Sequence, residues 1–263
     1  GQAGAKVVSV NPDNVTNGLP VIHAVVLVMD PVTGRPLALM DGTWLTALRT
    51  GAIGGLAAQV LSRKDSSVVA LFGAGVQART QLEAVRCVRD IQEVRVVSLG
   101  GTSAHQLASE LEGVAARGLS DPDMAIAGAD IVIAATSSAT PVFNGCQIQP
   151  GTHVTGVGSF TIDMREVDAE LIKRARVVVD QRDAILDEAG DIVGPIRDGV
   201  VDESVMHAEI GEILLGEKEG RRDSEEITFF KSVGNAVQDL AVASLVLEVA
   251  EREDLGVVVD LGG

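Results

Sequence analysis

Two hydrophobic patterns divide the chain. Near the N-terminus, residues 5–10 and 21–29 are dense in β-branched and apolar side chains and read as strands. Between them lie the turn signals Asn11-Pro12-Asp13-Asn14 and Asn17-Gly18. Asp30-Pro31-Val32-Thr33-Gly34 reads as a tight turn, and 36–40 as a third strand. From Thr43 to Leu61 apolar residues recur every three or four positions, the spacing of a helix. After Ser66 the pattern changes. Short apolar runs at 68–72, 94–97, 131–135, 154–157 and 177–179 alternate with helical spacing over 77–88 and 104–111. Runs of that kind suit strands buried on both faces, and the alternation implies a parallel sheet with right-handed crossovers. A long helical stretch covers 236–249, and 257–259 reads as a last strand.

The run Gly73-Ala74-Gly75-Val76-Gln77-Ala78 stands where the strand at 68–72 gives way to a helix. Glycines used only for a tight turn are the plainer explanation of such a run. The flanking strand and helix favour a different one, the phosphate-binding turn of a Rossmann-type domain for a nicotinamide dinucleotide. Gly73 permits the sharp turn, Gly75 lets the backbone approach a pyrophosphate, and Ala78 is small where helix and strand pack. The helix N-terminus then offers unpaired N–H groups and partial positive charge. The end of the next strand commonly separates NAD from NADP. An acid there would bind the adenosine ribose hydroxyls and repel a 2′-phosphate. Ser98 occupies that place, followed by Leu99-Gly100-Gly101 with neither acid nor arginine. NAD(P)H is therefore the expected cofactor, with NADPH slightly favoured.

Composition narrows the partners. Hydrophobic residues make up 46% and aromatics 2%, with no Tyr and one Trp (Trp44), so the core must be Val, Leu, Ile and Ala. The formal charge of −16 opposes binding to nucleic acid or to an anionic membrane. Cys87 and Cys146 make neither a disulfide framework nor a CxxC metal site. Cys87, in an amphipathic stretch, is expected as a small core residue. No apolar run approaches the ~18 residues of a membrane helix, and no signal peptide opens the chain, so a cytoplasmic location is expected. The first residue is Gly rather than Met, which points to processing or truncation.

Several further segments resemble the ornithine cyclodeaminase/mu-crystallin family. They are Lys6-Val7-Val8 with Asn17-Gly18-Leu19-Pro20, then Thr46-Ala47-Leu48-Arg49-Thr50-Gly51-Ala52, the glycine turn, and Gly151-Thr152-His153-Val154 with Gly156-Val157-Gly158. The last is Ile227-Thr228-Phe229-Phe230-Lys231-Ser232-Val233-Gly234, followed by Ala236 and Asp239. Their order and spacing hold over nearly the whole chain. The resemblance implies an α/β fold, a Rossmann-type parallel sheet domain over 61–234 with a smaller α+β substrate and dimerisation domain from 1–60 and 235–263. It also implies a homodimer acting on a small imino or amino acid. By the same resemblance a stretch of the usual N-terminus, with a further carboxylate-binding arginine, is absent.

For chemistry the resemblance singles out Lys6 and Arg49. Arg49 would grip a substrate carboxylate bidentately. Lys6 would pair with the same carboxylate or protonate the substrate nitrogen. Without the resemblance Lys6 would read as a solvated strand-end lysine, and Arg49 as a helix-surface ion-pair partner. Thr50 is expected at the cofactor phosphate. Thr136 and Ser137, then Val157, Gly158 and Ser159, lie where strands end at the edge that binds ligands in open α/β sheets. Ser232, Val233 and Gly234 are expected on the nicotinamide side.

One position departs from the family. Where cyclodeaminases and alanine dehydrogenase carry an acid/base aspartate, this chain has Phe160, and Asp163 lies three residues on. A phenyl ring neither pairs with an ammonium nor moves its proton. Reduction of a C=N bond conjugated to a carboxylate is therefore expected, or the reverse amino-acid dehydrogenation. An ornithine- or lysine-type cyclodeaminase and an NADPH-gated, non-catalytic mu-crystallin-like binding protein are the alternatives. His153 reads as structural, His207 as a residue before a helix at 208–212, His23 as part of an apolar strand and His105 as an exposed helix start. No spacing among them suggests a metal site.

Overall fold

The computed structural model describes residues 3–260. The outermost residues of the range assigned above to the smaller domain, 1–2 and 261–263, lie outside it. In chain order the elements are β1 (Ala3–Val10), β2 (Ile22–Met29), β3 (Pro36–Asp41), α1 (Gly42–Leu61), β4 (Val68–Phe72) and α2 (Val76–Val88). Next come β5 (Glu93–Val97), α3 (Thr102–Glu110), β6 (Ala115–Leu119), α4 (Pro122–Ile126), β7 (Ile131–Ala134), β8 (His153–Gly156) and α5 (Ala169–Arg174). The last are β9 (Arg176–Val179), α6 (Arg182–Glu188), α7 (Gly190–Arg197), β10 (Met206–Glu209), α8 (Ile210–Leu214), β11 (Thr228–Lys231) and α9 (Ala236–Arg252). They form two compact units, Gly1–Arg49 with Ala236–Gly263, and Thr50–Asn235.

In the first unit β2 runs antiparallel between β1 and β3, with Lys6 opposite Val26 and Leu27 opposite Leu39. Strand alternation sends Val26, Val28, Ala38 and Met40 to one face. There they pack with Leu45 of α1 and Ala243 of α9. Asp41 caps α1, accepting the Thr43 N–H at 2.9 Å.

In the second unit an eight-stranded sheet has the order β10-β9-β11-β8-β7-β4-β5-β6, every pairing parallel. Its central strands β4, β7, β8, β9 and β11 are buried on both faces, and the period of two divides their side chains between two cores. Ala70, Phe72, Val132 and Val154 pack with Ile126, Leu171 and Ile192 of α4, α5 and α7. Val69, Leu71, Ile131 and Ile133 pack with Leu82, Val85 and Leu107 of α2 and α3. Each fully buried Leu or Ile contributes about 2 kcal/mol of transfer free energy.

The structure corrects three expectations. Residues 257–259 form no strand; Val257, Val258 and Val259 are exposed with no neighbouring strand to pair. Cys87 faces solvent, because the apolar stripe of α2 falls on Ala78, Leu82 and Val85 instead. His207 lies within β10, and the helix after it starts at Ile210. Three strands, β6, β10 and β11, were not legible. The first two are edge strands interrupted by Arg117 and by His207, and β11 is a four-residue strand that ends in Lys231. Among the described residues no helix is long and apolar enough to cross a membrane.

Candidate active site

Strand order reverses at β4, with β5 and β6 on one side and β7, β8 and β11 on the other. Ligands of open α/β sheets bind at the carboxyl edge of such a switch point. The glycine turn sits there. Gly73 has φ +106°, and a Cβ on it would collide with the Ala135 carbonyl after β7. Gly75 is the N-cap of α2 and no side chain caps it, so the first-turn N–H groups point outward. A Cβ on Gly75 would meet no protein atom within 4 Å, which leaves the backbone open to a ligand. Ala78 is buried, and Gln77 Oε1 is buried without a hydrogen-bond partner. The uncapped N–H groups and the open backbone at Gly75 fit the pyrophosphate of a dinucleotide. After β5, Ser98 Oγ accepts from Ser103 Oγ at 2.8 Å and Ala104 N at 2.9 Å, so this hydroxyl already serves the start of α3.

Beyond β4 the loops after β7 and β8 touch. A Cβ on Gly158 would collide with the Thr136 carbonyl oxygen, so only glycine fits. Both loops are held by one carboxylate that sequence reading missed. Glu166 Oε1 accepts from Thr136 N at 2.5 Å and Thr136 Oγ1 at 2.8 Å. Its Oε2 accepts from Gly158 N at 2.6 Å and Ser159 N at 3.1 Å. Burial pushes the Glu166 carboxyl up, with nearby Lys231 opposing, Asp191 adding to the rise and the Thr136 donors countering it. Val157 is buried and Ser137 exposed, while the Ser159 hydroxyl is turned inward onto the Met164 carbonyl at 2.8 Å.

The loop after β11 has its own anchor. Asp180 Oδ2 accepts from Ser232 Oγ at 2.7 Å, Val233 N at 3.2 Å and Gly234 N at 2.7 Å. Asp180 is the first polar residue after the apolar run of β9, the one signal that could have exposed it. Glu166, in Met164-Arg165-Glu166-Val167, gives no such signal. Thr50, in α1, has its carbonyl bound by Gln81 Nε2 at 2.5 Å.

In the first unit Lys6 and Arg49 are brought together. Lys6 Nζ lies 2.7 Å from Asp239 Oδ2, and Arg49 Nε 3.2 Å from Asp239 Oδ1. Arg49 Nη1 also donates to Gln238 at 3.1 Å. Side-chain exposures of 14%, 9% and 6% remove all three from open solvent, so neither cation is an ordinary surface group. The Asp239 carboxylate thus holds a lysine ammonium on one oxygen and an arginine guanidinium on the other. Asp239, known in advance only as part of a motif, is the group that gathers them.

A family model matches residues 1–254. The chain belongs to the ornithine cyclodeaminase/mu-crystallin family. It is 40% identical over 257 residues to a delta(1)-pyrroline-2-carboxylate reductase of Bacillus cereus, covering 96% of this chain and 79% of that protein. Among solved structures it resembles the Thermococcus litoralis delta(1)-pyrroline-2-carboxylate reductase in complex with NADH and L-proline. That match has a TM-score of 0.94 at 44% identity, over 97% of this chain and 80% of the other. An archaeal alanine dehydrogenase dimer with bound NAD matches with a TM-score of 0.95 at 39% identity, over 99% and 81%.

Where the family's cyclodeaminases were expected to differ, Phe160 is 43% exposed, just past the Gly158–Ser159 peptide. Asp163 lies on an exposed turn. The buried acid of this loop is Glu166, and all its oxygen lone-pair directions are taken by loop donors.

Proposed function

We propose that this member of the ornithine cyclodeaminase/mu-crystallin family reduces an imine conjugated to a carboxylate, giving an L-amino acid, and runs the reverse dehydrogenation. The observation that carries the reading is the cation pair Lys6–Arg49 gathered on Asp239, in a chain that also carries the dinucleotide turn. Arg49 presents a planar fork that fixes a carboxylate in orientation as well as charge. Lys6 delivers a proton to the imine nitrogen as the new C–H bond forms at carbon, so the C=N bond becomes CH–NH. The bound dinucleotide supplies the hydride. Thr50, the glycine turn, Ser98, Thr136–Ser137, Val157–Ser159 and Ser232–Gly234 are proposed to hold it, the last three groups by loops locked on buried carboxylates. Phe160 provides no charge for the amine of ornithine or lysine, which favours reduction over cyclodeamination.

The two solved relatives carry NADH and NAD, so NADH is the co-substrate to test first. The preference for NADPH rested on Ser98 alone, and its hydroxyl is committed to α3. A homodimer is proposed on the alanine dehydrogenase precedent. The test follows absorbance at 340 nm with NADH and NADPH against pyrroline-2-carboxylate and other cyclic imino acids. Arg49→Ala is expected to lower kcat/KM about 100-fold, the loss of a bidentate charge-assisted contact. Unchanged turnover in Arg49→Ala would remove Arg49 from the carboxylate. Tight NADH binding with no imine reduced would overturn the reading.

A further inference from the structure

In the second unit a buried chain of charge runs behind the loops at the carboxyl edge. Lys231 Nζ in β11 lies 2.9 Å from Asp191 Oδ2 of α7, and both side chains have zero exposure. Asp191 Oδ1 accepts from the backbone N–H of Glu166 at 2.7 Å and of Val167 at 3.1 Å. The Glu166 carbonyl in turn accepts from Val142 N at 2.9 Å. The Glu166 backbone is thus fixed from behind, while its carboxylate receives Thr136 on one oxygen and Gly158 and Ser159 on the other. Burying a carboxylate costs several kcal/mol unless donors meet it, and four here do. A loop that needed only to be closed would be served by apolar packing. An anion that takes donors from two separate loops instead sets the orientation of particular peptide planes.

Those planes have a definite place in the fold. The residue after β5 marks the adenosine end of a dinucleotide, and the glycine turn after β4 marks the pyrophosphate. Strand order continues from β4 to β7 and β8, so the other half of the molecule extends over the loops after those strands. We propose that Glu166 is a positioning residue for the nicotinamide half of the cofactor, holding the Thr136 and Gly158–Ser159 peptides in register with each other. This deepens the reductase reading and rests on it. Glu166 has no hydrogen-bonding capacity left for a ligand of its own, so its effect passes through the loops.

The test uses binding rather than turnover. Titration calorimetry would compare NADH with ADP-ribose, which lacks the nicotinamide, for the wild-type protein and for Glu166→Gln. The amide of Gln must turn an N–H toward one of the two loops and break its contacts. The Kd for NADH is expected to rise about tenfold or more, with that for ADP-ribose little changed. Equal weakening of both ligands, or no change for NADH, would overturn the proposal. Should Glu166→Gln fail to fold, Glu166→Asp decides: its carboxylate, one methylene shorter, cannot meet both loops at once, and it is expected to weaken NADH while leaving ADP-ribose little changed. Equal weakening of both ligands in Glu166→Asp, or an unchanged NADH affinity, would overturn the proposal. Absence of dinucleotide binding in the wild type would sink the cofactor reading itself, a separate outcome.

Discussion

His153 shows how far burial decides the chemistry of a single side chain. Its ring has no exposure and lies between two hydroxyls, Nδ1 2.9 Å from Thr228 Oγ1 and Nε2 3.0 Å from Thr155 Oγ1. A neutral ring satisfies both by donating at one nitrogen and accepting at the other. Burial, with repulsion from Arg221 and Arg89, lowers its pKa to about 3 from 6.5. Above pH 6.5 the ring is neutral in folded and unfolded chains alike and adds no pH dependence. Below that, the unfolded chain takes up a proton that the native one refuses, so stability falls by about 1.4 kcal/mol per pH unit until near pH 3. Denaturant unfolding at pH 7 and pH 5 should therefore differ by about 2 kcal/mol from this group, and His153→Gln should lack that increment. An unchanged difference in the variant would assign the acid sensitivity elsewhere. The structural reading of this histidine was available from its place in a buried strand. The pairing of Lys6 and Arg49 with Asp239 was not, because the three residues come from opposite ends of the chain.

Helix α1 poses its question at the next scale, since Gly51, Gly54 and Gly55 interrupt a helical pattern in which alanine would be the better helix former. The reason is the neighbouring helix. A Cβ on Gly51 would stand 2.6 Å from the Thr80 carbonyl oxygen, and one on Gly55 2.7 Å from Ala84 Cβ. The close approach also brings Gln81 Nε2 onto the Thr50 carbonyl. Gly51→Ala gains about 1 kcal/mol of helix propensity but meets rigid backbone, an overlap that costs about 1–3 kcal/mol. The overlap wins, and the variant should melt several degrees lower. Gly211, in α8, is the control, because a Cβ there would meet nothing within 4 Å. Gly211→Ala should be neutral or stabilising by up to about 1 kcal/mol. A lower melting temperature for both variants would show that packing against α2 is not the cause. Periodicity alone placed α1 correctly, whereas the purpose of its glycines depends on α2.

For the whole molecule, the sheet of the first unit has one face on α1 and α9 and another turned outward. Strand alternation puts Val7, Val25, Leu37 and Leu39 on the outward face, where they are exposed by 71%, 43%, 36% and 73%. An antiparallel sheet facing water normally alternates to polar residues there, and a contiguous apolar row marks an association surface. The proposed homodimer would cover it. Sedimentation of the wild-type chain is expected to give a dimer, and Val25→Glu, at the centre of that row, a monomer. A dimer unaffected by Val25→Glu would place the interface on another face.

The sequence by itself determined the two hydrophobic periods, the parallel α/β unit, the glycine turn and the family, because each is written in neighbouring residues. Strands buried on both faces must be apolar throughout, and a phosphate turn must have glycine where backbone and ligand approach, so local pattern suffices. Only the tertiary structure decided that β11 lies between β8 and β9, that residues 257–259 pair with nothing, and that Cys87 faces water. It alone revealed the buried carboxylates of each unit, Glu166 on the loops after β7 and β8 and Asp180 on the loop after β11 in the second, and Asp239 on Lys6 and Arg49 in the first. A carboxylate looks the same in sequence whether solvated or buried. Its role comes from donors brought to it by distant strands, and those neighbours exist only once the chain has folded.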